Sequence, residues 1–252
     1  MKKLMFAATV AAAMAGFAVE SQVVGYQQIA GEGNGFCIVT PTFAGVSAPY
    51  SIQDIKLVGN GATGGGMQLL QIIDSEGCVQ EEDNYGWYLE GEVEEKEGWY
   101  NNFSYAYANI TLDPGLGLLM NNYAGDYEIQ FAGQVNYTAV PAFECEGNGF
   151  CAVGNMTPVA KNVQLFTLAG EGATGGGMQL LQIIEEEGCV QEKDNYGWYL
   201  EGEVEEKEGW YNNFSYAYGN VDILPGQGLL MNNYAGDYTI NIPGTGDELP
   251  EE

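Results

Sequence analysis

The fold is decided by a stretch of 47 residues, numbers 61–107, which reads GATGGGMQLLQIIDSEGCVQEEDNYGWYLEGEVEEKEGWYNNFSYAY. The same stretch returns at residues 172–218 and differs at three positions only: Asp74/Glu185, Ser75/Glu186 and Glu82/Lys193. The chain is therefore one unit written twice, and what one copy can do the other can do as well. Two equal copies favour a binding, adhesive or structural protein over an enzyme.

Residues 1–18 have the features of a secretory signal peptide. Lys2 and Lys3 precede a short apolar stretch that ends in small residues. We expect cleavage after Ala18, and the alternative is the Ala13-Met14-Ala15 motif, which also fits the small-x-small rule. No later segment holds the 18 or so continuous apolar residues that a membrane helix needs. We therefore expect a protein that is secreted, or held in the periplasm or at the cell surface, without a transmembrane segment in the mature chain.

The charge and two missing residue types exclude several kinds of function. The net charge is −28, and the chain contains neither His nor Arg. Acidity on this scale repels phosphate backbones, so nucleic acid is excluded as a partner. Without His there is no Ser-His-Asp triad, no Cys-His dyad and no ordinary zinc site. We expect a non-enzymatic protein without a cofactor or a metal.

The residue pattern predicts an all-β chain of two tandem, homologous antiparallel β-sandwich or jelly-roll-like domains. Short runs rich in Tyr, Val, Ile and Thr alternate with clusters of Gly, Asn, Asp and Pro, as in such folds. We place the signal peptide at residues 1–18, the first domain at 19–134, the second at 135–243 and an acidic disordered tail at 244–252. In the first domain, strands are predicted at residues 23–28, 36–40, 52–57, 67–73, 85–90, 99–103, 110–112, 117–120 and 127–131.

Four of the five cysteines correspond across the two copies, Cys37 and Cys78 with Cys151 and Cys189. In an exported chain the simplest pairing is one disulfide per domain, Cys37–Cys78 and Cys151–Cys189. The alternative is that these residues are buried thiols. Cys145 has no counterpart and is open to three interpretations: a spare thiol, a competitor for the partner of Cys151, or a link between chains.

The aromatic run within each copy is the feature that most favours binding. Exposed aromatic faces beside Asn and Glu are surfaces on which sugar rings stack, and the alternative is that the rings pack the sandwich core. The candidate binding residues are Trp87, Tyr88, Trp99, Tyr100, Trp198, Tyr199, Trp210 and Tyr211.

Two further segments have ordinary explanations. Residues 90–97 (EGEVEEKE) could bind calcium through clustered carboxylates, but they lack the spacing of a calcium loop and are typical of a solvated strand running into a turn. Residues 61–66 (GATGGG) share only their composition with a phosphate-binding loop, since no Lys-Ser/Thr follows them. Use of these glycines in a turn is the favoured interpretation.

The first domain resembles an uncharacterised group of exported bacterial β-repeat proteins that carry a VGY motif after the signal peptide. The similar elements are SQVVGY (21–26), GWY (98–100), PGLGL (114–118) and FAGQV (131–135). The resemblance is less complete in the second domain, which lacks the VGY and AGQV elements. It implies export and a β-repeat fold, and it brings no activity or catalytic residue with it.

These observations together predict an exported, non-enzymatic structural or surface-interaction protein of the cell envelope or the extracellular matrix. The alternative is a tandem carbohydrate-binding module that uses exposed aromatic side chains. The partners expected from the sequence are other copies of the chain or an extracellular glycan.

Overall fold

A computed structural model describes residues 24–31, 33–42, 50–73, 84–134, 142–184 and 195–249. These residues form twenty strands and two 3-10 helices, and every strand pair among them is antiparallel. The predicted all-β sandwich fold is thereby confirmed. We refer to the described parts of 24–134 and 142–249 as the first and second units.

The first unit contains ten strands and a 3-10 helix at Ile52–Asp54. The strands are β1 (Val24–Gly31), β2 (Phe36–Val39), β3 (Tyr50–Ser51), β4 (Lys56–Val58), β5 (Gln68–Ile72), β6 (Asn84–Tyr88), β7 (Gly98–Asn101), β8 (Thr111–Leu112), β9 (Leu118–Asn122) and β10 (Tyr127–Gln134). They build a five-stranded sheet in the order β2-β9-β5-β6-β7, a three-stranded sheet in the order β1-β10-β4 and the pair β3-β8.

The second unit has the same arrangement, with a 3-10 helix at Val163–Leu165. Its strands are β11 (Phe143–Cys145), β12 (Phe150–Gly154), β13 (Lys161–Asn162), β14 (Thr167–Ala169), β15 (Gln179–Ile183), β16 (Asn195–Tyr199), β17 (Gly209–Asn212), β18 (Asp222–Ile223), β19 (Gly228–Asn233) and β20 (Tyr238–Asn241). The five-stranded order is β12-β19-β15-β16-β17, the three-stranded order is β11-β20-β14, and β13 pairs with β18.

Each unit closes around an apolar core that lies between its two larger sheets. In β10, Tyr127, Ile129 and Phe131 alternate inward, as the sequence pattern indicates for a half-buried strand. They meet side chains of the five-stranded sheet such as Leu118 and Met120. The core of the second unit is built from corresponding strands.

One predicted strand of the first unit is replaced in part by a helix. Residues 52–57 were predicted as a strand, but Ile52–Asp54 form a 3-10 turn and β4 begins only at Lys56. The cause is a capping box: the Ser51 hydroxyl accepts from the Gln53 N–H at 3.2 Å, and the Asp54 carboxylate accepts from the Ser51 N–H at 3.1 Å. The short strand β3, just before this turn, was not predicted.

The two units contact each other through two β-bridges that are equivalent under the repeat. Val39 of the first unit forms a β-bridge with Gln227 of the second, and Leu116 forms one with Val153. In the repeat, Val39 corresponds to Val153 and Leu116 to Gln227. Such reciprocity is the signature of a two-fold relation between the units.

Close backbone approach makes this contact tight. The Thr40 N–H donates to Gly226 C=O at 2.8 Å, and the corresponding Gly154 N–H donates to Gly115 C=O at 3.1 Å. A Cβ on Gly228 would lie 2.2 Å from Ile38 Cγ2, so a larger residue has no room there. Around these bonds lies an apolar cluster of both units: Phe36, Ile38, Ile73, Leu119, Ala152, Ile184 and Leu230. The domain boundaries at residues 134 and 135 stay a prediction.

The cysteine pairing differs from the prediction. Cys151 is bonded to Cys145, and the two Cα atoms lie 6.0 Å apart, so the predicted Cys151–Cys189 bond is wrong. The reason is the short turn between β11 and β12, which brings these two residues together. Cys78 and Cys189 lie outside the described residues, and Cys37 is buried. The Cys37–Cys78 pairing therefore stays a prediction.

Part of the segment for which disorder was predicted forms a turn. The Gly244 N–H donates to the Asp247 carboxylate at 2.8 Å, and the Asp247 N–H donates back to Gly244 C=O at 3.2 Å. The buried Lys161 ammonium donates to the carbonyls of Thr245 and Asp247 at 2.8 and 2.6 Å. Residues 250–252 lie outside the described part of the chain.

Candidate functional site

The structure buries all eight aromatic side chains that the sequence analysis proposed for binding. They do not offer the exposed ring faces that sugar stacking requires, which removes the basis for assigning binding to them. The four tryptophans face the cores, as the alternative interpretation of the run states, and the four tyrosines face the other side of the five-stranded sheets. The eight residues are Trp87, Tyr88, Trp99, Tyr100, Trp198, Tyr199, Trp210 and Tyr211.

The tyrosines of each unit form a cluster on the outer face of the five-stranded sheet, the face turned away from the unit's own core. The Tyr88 ring meets Tyr100 and Tyr105 edge-on, with centroids 5.7 and 6.0 Å away. Tyr100 in turn meets Tyr107 at 5.1 Å. Such geometry is favourable for aromatic pairs. The second unit repeats the cluster with Tyr199, Tyr211, Tyr216 and Tyr218.

Beside this tyrosine cluster, four large apolar side chains of each unit are exposed to solvent. We call them the aromatic platform. Backbone contacts bring them near one another. The Tyr123 N–H donates to Met67 C=O at 2.9 Å, a Cβ on the adjoining Gly66 would lie 2.8 Å from the Tyr88 hydroxyl, and the Tyr88 ring contacts Tyr105. Phe103 belongs to the same turn as Tyr105. The platform residues are Met67, Phe103, Tyr105 and Tyr123 in the first unit, and Met178, Phe214, Tyr216 and Tyr234 in the second.

The outer face of each five-stranded sheet is thus divided between two environments. At one end of the strands, Ile38, Leu119 and Ile73 pack against the other unit. At the opposite end, Met67 and Tyr123 remain exposed. The contact between the units therefore leaves the aromatic platforms open.

The loop that carries Phe103 and Tyr105 is held by one asparagine. The Asn101 side-chain oxygen accepts from the backbone N–H groups of Phe103 and Ser104 at 3.1 and 2.8 Å and from the Ser104 hydroxyl at 2.9 Å. The Tyr105 N–H donates to Asn101 C=O at 2.9 Å. These bonds set the direction in which both rings project.

Tyr105 occupies a backbone conformation that glycine or asparagine adopts more readily. Its φ is +57°, and the equivalent Tyr216 has a φ of +58°. A non-glycine residue in this left-handed region costs on the order of 1 kcal/mol. In both units, the loop therefore carries an exposed tyrosine ring at a position where glycine or asparagine would cost less free energy.

The acidic turn, residues 90–97, packs against the glycine loop. The Glu92 carboxylate accepts from the N–H groups of Leu89 and Gly65 at 2.7 and 2.8 Å. Gly64, Gly65 and Gly66 have φ values of 71°, 60° and 68°, and a Cβ on Gly64 would lie 2.3 Å from the Glu92 carboxylate. The loop is a turn, as predicted, and it holds a carboxylate of its own chain. The predicted solvent exposure of residues 90–97 is confirmed, since their glutamates are exposed, but the predicted strand is wrong: β6 ends at Tyr88, and residues 90–97 form turns and bends.

A lysine of the acidic turn lies over the tyrosine cluster. Lys96 Nζ is 5.3 Å from the centroid of the Tyr107 ring, and Lys207 Nζ is 5.8 Å from that of Tyr218. Both distances lie in the range of cation–π interactions. Within the described ranges, no three His, Cys, Asp or Glu side chains come close enough to hold a metal ion.

The tyrosines whose pKa is raised are poor candidates for acid–base chemistry. Burial raises the pKa of Tyr50 and Tyr238 far above the ordinary value of a tyrosine. Burial also raises the pKa of Tyr88 and Tyr100, and neighbouring Glu92 and Glu94 add to these shifts. Each of these hydroxyls therefore stays protonated well beyond neutral pH and acts only as a hydrogen-bonding group.

No protein-family model, curated protein or solved structure matches the chain. The resemblance to exported bacterial β-repeat proteins therefore stays a prediction. So does the signal peptide, because residues 1–23 lie outside the described part of the chain. Among the described residues, no helix has the length and apolar character needed to cross a membrane.

The candidate binding residues taken from the aromatic run are members that the structure buries, whereas Phe103 and Tyr105 are exposed members of the same run. Alternation along a strand indicates which residues share a face, but it does not indicate which face a second layer covers. Phe103 and Tyr105 lie in a turn, where alternation no longer applies. The sequence does contain a signal for these two residues, because strand-forming residues give way to an Asn-rich turn after Tyr100.

Proposed function

We propose that this chain is an exported, non-enzymatic surface-interaction protein in which two β-sandwich units each present one aromatic platform to a partner. The observation that carries the proposal is equal exposure in both units. Phe103 and Phe214 are each 57 % exposed, while Tyr105 and Tyr216 are 54 % and 53 % exposed. Exposed apolar groups that lie together on a surface mark sites of interaction.

The construction of the platform supports the same proposal. The left-handed tyrosine and the asparagine that fixes its loop occur in both units, so strain is retained where the ring is exposed. Strained residues collect at functional sites. The surrounding side chains contribute rings, amides and carboxylates, a composition that suits adhesion to another surface.

Two platforms on one chain favour attachment by avidity. When a partner surface carries several copies of a ligand, binding of the first unit raises the effective concentration for the second. The hydrogen bonds between the units, such as Thr40 N–H to Gly226 C=O, hold the platforms in a fixed relation. A structural or adhesive protein gains from this arrangement.

A second candidate function is glycan binding by the residues of the platform, in place of the buried aromatic residues that the sequence suggested. The observation that favours it is an amide beside an exposed ring: Asn121 Nδ2 donates to the Tyr123 hydroxyl at 2.9 Å, and Asn232 does the same with Tyr234 at 2.8 Å. An amide at the edge of a ring can orient a sugar that stacks on the ring face.

The test of the proposed function uses the mature full chain and a variant without the main platform rings. This platform variant carries Phe103→Ser, Tyr105→Asn, Phe214→Ser and Tyr216→Asn, with asparagine chosen because it tolerates the left-handed backbone. Binding is measured on arrays of neutral glycans and of charged peptides, and self-association by sedimentation equilibrium.

We expect the wild-type chain to bind one class of probe, or to self-associate, and the platform variant to lose that behaviour. Tyr26→Asn is the matched control, because Tyr26 is an exposed ring on β1 outside the platform. A wild-type chain that neither binds nor self-associates, or a platform variant that behaves like it, would contradict the proposal.

A further inference from the structure

The residues around the platform indicate which class of partner it takes. The acidic turn contains five glutamates and one lysine in eight residues, and it adjoins the tyrosine cluster in both units. The Tyr100 hydroxyl donates to Lys96 C=O at 2.8 Å, and Tyr211 donates to Lys207 C=O at 2.7 Å. The acidic turn, whose carboxylates are exposed, is therefore anchored to the tyrosine cluster that the Tyr105 ring also contacts.

The chain already places a cation on this surface. The Lys96 ammonium lies over the Tyr107 ring, and Lys207 lies over Tyr218. The faces of these rings are electron-rich, and neighbouring carboxylates strengthen the attraction for a positive group. The second unit repeats this arrangement, which shows that the cluster accommodates a cationic side chain in the folded chain.

The dimensions of the platform fit an extended peptide. From Tyr123 at the end of β9, across β5, to Tyr88 on β6 the surface crosses two strand spacings, which is about 10 Å, and the Tyr105 ring lies 6.0 Å from that of Tyr88. Roughly three residues of an extended chain span the two strand spacings. A peptide along this surface would bring alternate side chains to the rings and to the acidic turn.

We propose that each aromatic platform, together with its acidic turn, binds an extended Lys/Arg-rich segment of a partner protein. The inference rests on the proposed function, because it names the partner class of the same surface. The rings of Phe103 and Tyr105 take the partner's guanidinium groups by stacking, and the glutamates of the turn supply long-range attraction. The charge of −28 favours the same class of partner.

The experiment measures fluorescence anisotropy of labelled oligo-arginine and oligo-lysine peptides of equal length, titrated with the full mature chain. Arg stacks on aromatic faces better than Lys does, whereas net charge alone attracts both equally. The chain should therefore bind oligo-arginine more tightly. The platform variant leaves the net charge unchanged, and it should bind oligo-arginine about tenfold more weakly and lose the preference for it.

A second variant tests the acidic turn separately. Glu94→Gln and Glu95→Gln, with Glu205→Gln and Glu206→Gln, leave the rings and Glu92 in place. This variant should bind both peptides more weakly, with a smaller dependence on salt, because fewer carboxylates attract the peptide. Far-UV circular dichroism and thermal unfolding show whether each variant is folded.

Three results would overturn the inference. If the platform variant binds oligo-arginine as the wild type does, the attraction is due to net charge alone. If a neutral oligosaccharide binds the wild type but not the platform variant, while oligo-arginine binding is unaffected, the partner is a glycan. In that second case the proposed function stands and only the partner class falls. If no probe binds and the chain does not self-associate, both proposals fall.

Discussion

The two tryptophans of a unit share one ring contact and differ in one hydrogen bond. Trp87 and Trp99 meet edge-on with centroids 5.2 Å apart, and both are buried. Trp99 Nε1 donates to Ile55 C=O at 3.0 Å, whereas Trp87 Nε1 is buried without a hydrogen-bond partner among the described residues. The second unit repeats this difference, with Trp210 bonded and Trp198 not.

This difference predicts unequal effects of the same substitution. Trp99→Phe leaves a buried carbonyl without its donor. Trp87→Phe removes an N–H that has no acceptor among the described residues. We expect Trp99→Phe to lower the free energy of unfolding by about 1–3 kcal/mol more than Trp87→Phe does. Guanidinium denaturation followed by far-UV circular dichroism measures both values. Equal losses for the two variants would show that the hydrogen bond contributes nothing.

A glutamine, which the sequence did not single out, fixes the edge of the five-stranded sheet. Gln53 Nε2 donates to the carbonyls of Trp99 and Ala108 at 2.8 and 2.7 Å, and its oxygen accepts from the Trp99 N–H at 3.1 Å. The side chain acts in place of a neighbouring strand. Local sequence could not reveal this role, because the partners lie 46 and 55 residues away.

At the scale of the element, the β11–β12 turn shows how one residue changes the covalent bonding between two strands of different sheets. The second unit has Cys145 where the first has Gly31, and a Cβ on Gly31 would lie 2.3 Å from the Tyr127 ring. In the first unit, the Tyr127 ring therefore occupies the space that the disulfide occupies in the second unit. Repeat correspondence predicted the wrong pairing because it assumed that both units use the same cysteines.

Peptide mapping without reduction tests the disulfide of this turn. We expect a single peptide that contains the Cys145–Cys151 bond. Because the sequence separation is only 6, the Cys145→Ser variant should lose about 2 kcal/mol of stability on the chain-entropy model. The bond closes a much shorter loop than the one predicted between Cys151 and Cys189. Recovery of Cys151 linked to Cys189 would contradict the structure.

Strand positions were the part of the fold that the sequence predicted best. The alternation of Tyr127, Ile129 and Phe131 identified β10 and its buried face, because a half-buried strand leaves a period of two in the residues. The turn at Ile52–Asp54 escaped prediction because its capping box outweighs the apolar character of the segment. The exposure of the platform was not predicted, because it depends on which part of the surface the neighbouring elements leave uncovered.

At the scale of the whole molecule, the two units form an intramolecular counterpart of a symmetric dimer. Val39 with Gln227 and Leu116 with Val153 are the same contact made twice. Glycine at positions 117, 154 and 228 lets the backbones approach, since a Cβ at any of them would meet the other unit within 3 Å. One end of each outer face is covered by this contact, and the other end carries the platform.

Each unit encloses its tryptophans and turns the rings of the platform outward. Hydroxyl-radical footprinting of the full chain, read by mass spectrometry, measures this directly because oxidation follows the solvent exposure of each side chain. We predict rapid oxidation at Phe103, Tyr105 and Tyr123 and at their counterparts, with protection of Trp87 and Trp99 and theirs. Tryptophans oxidised as fast as the platform rings would contradict the account.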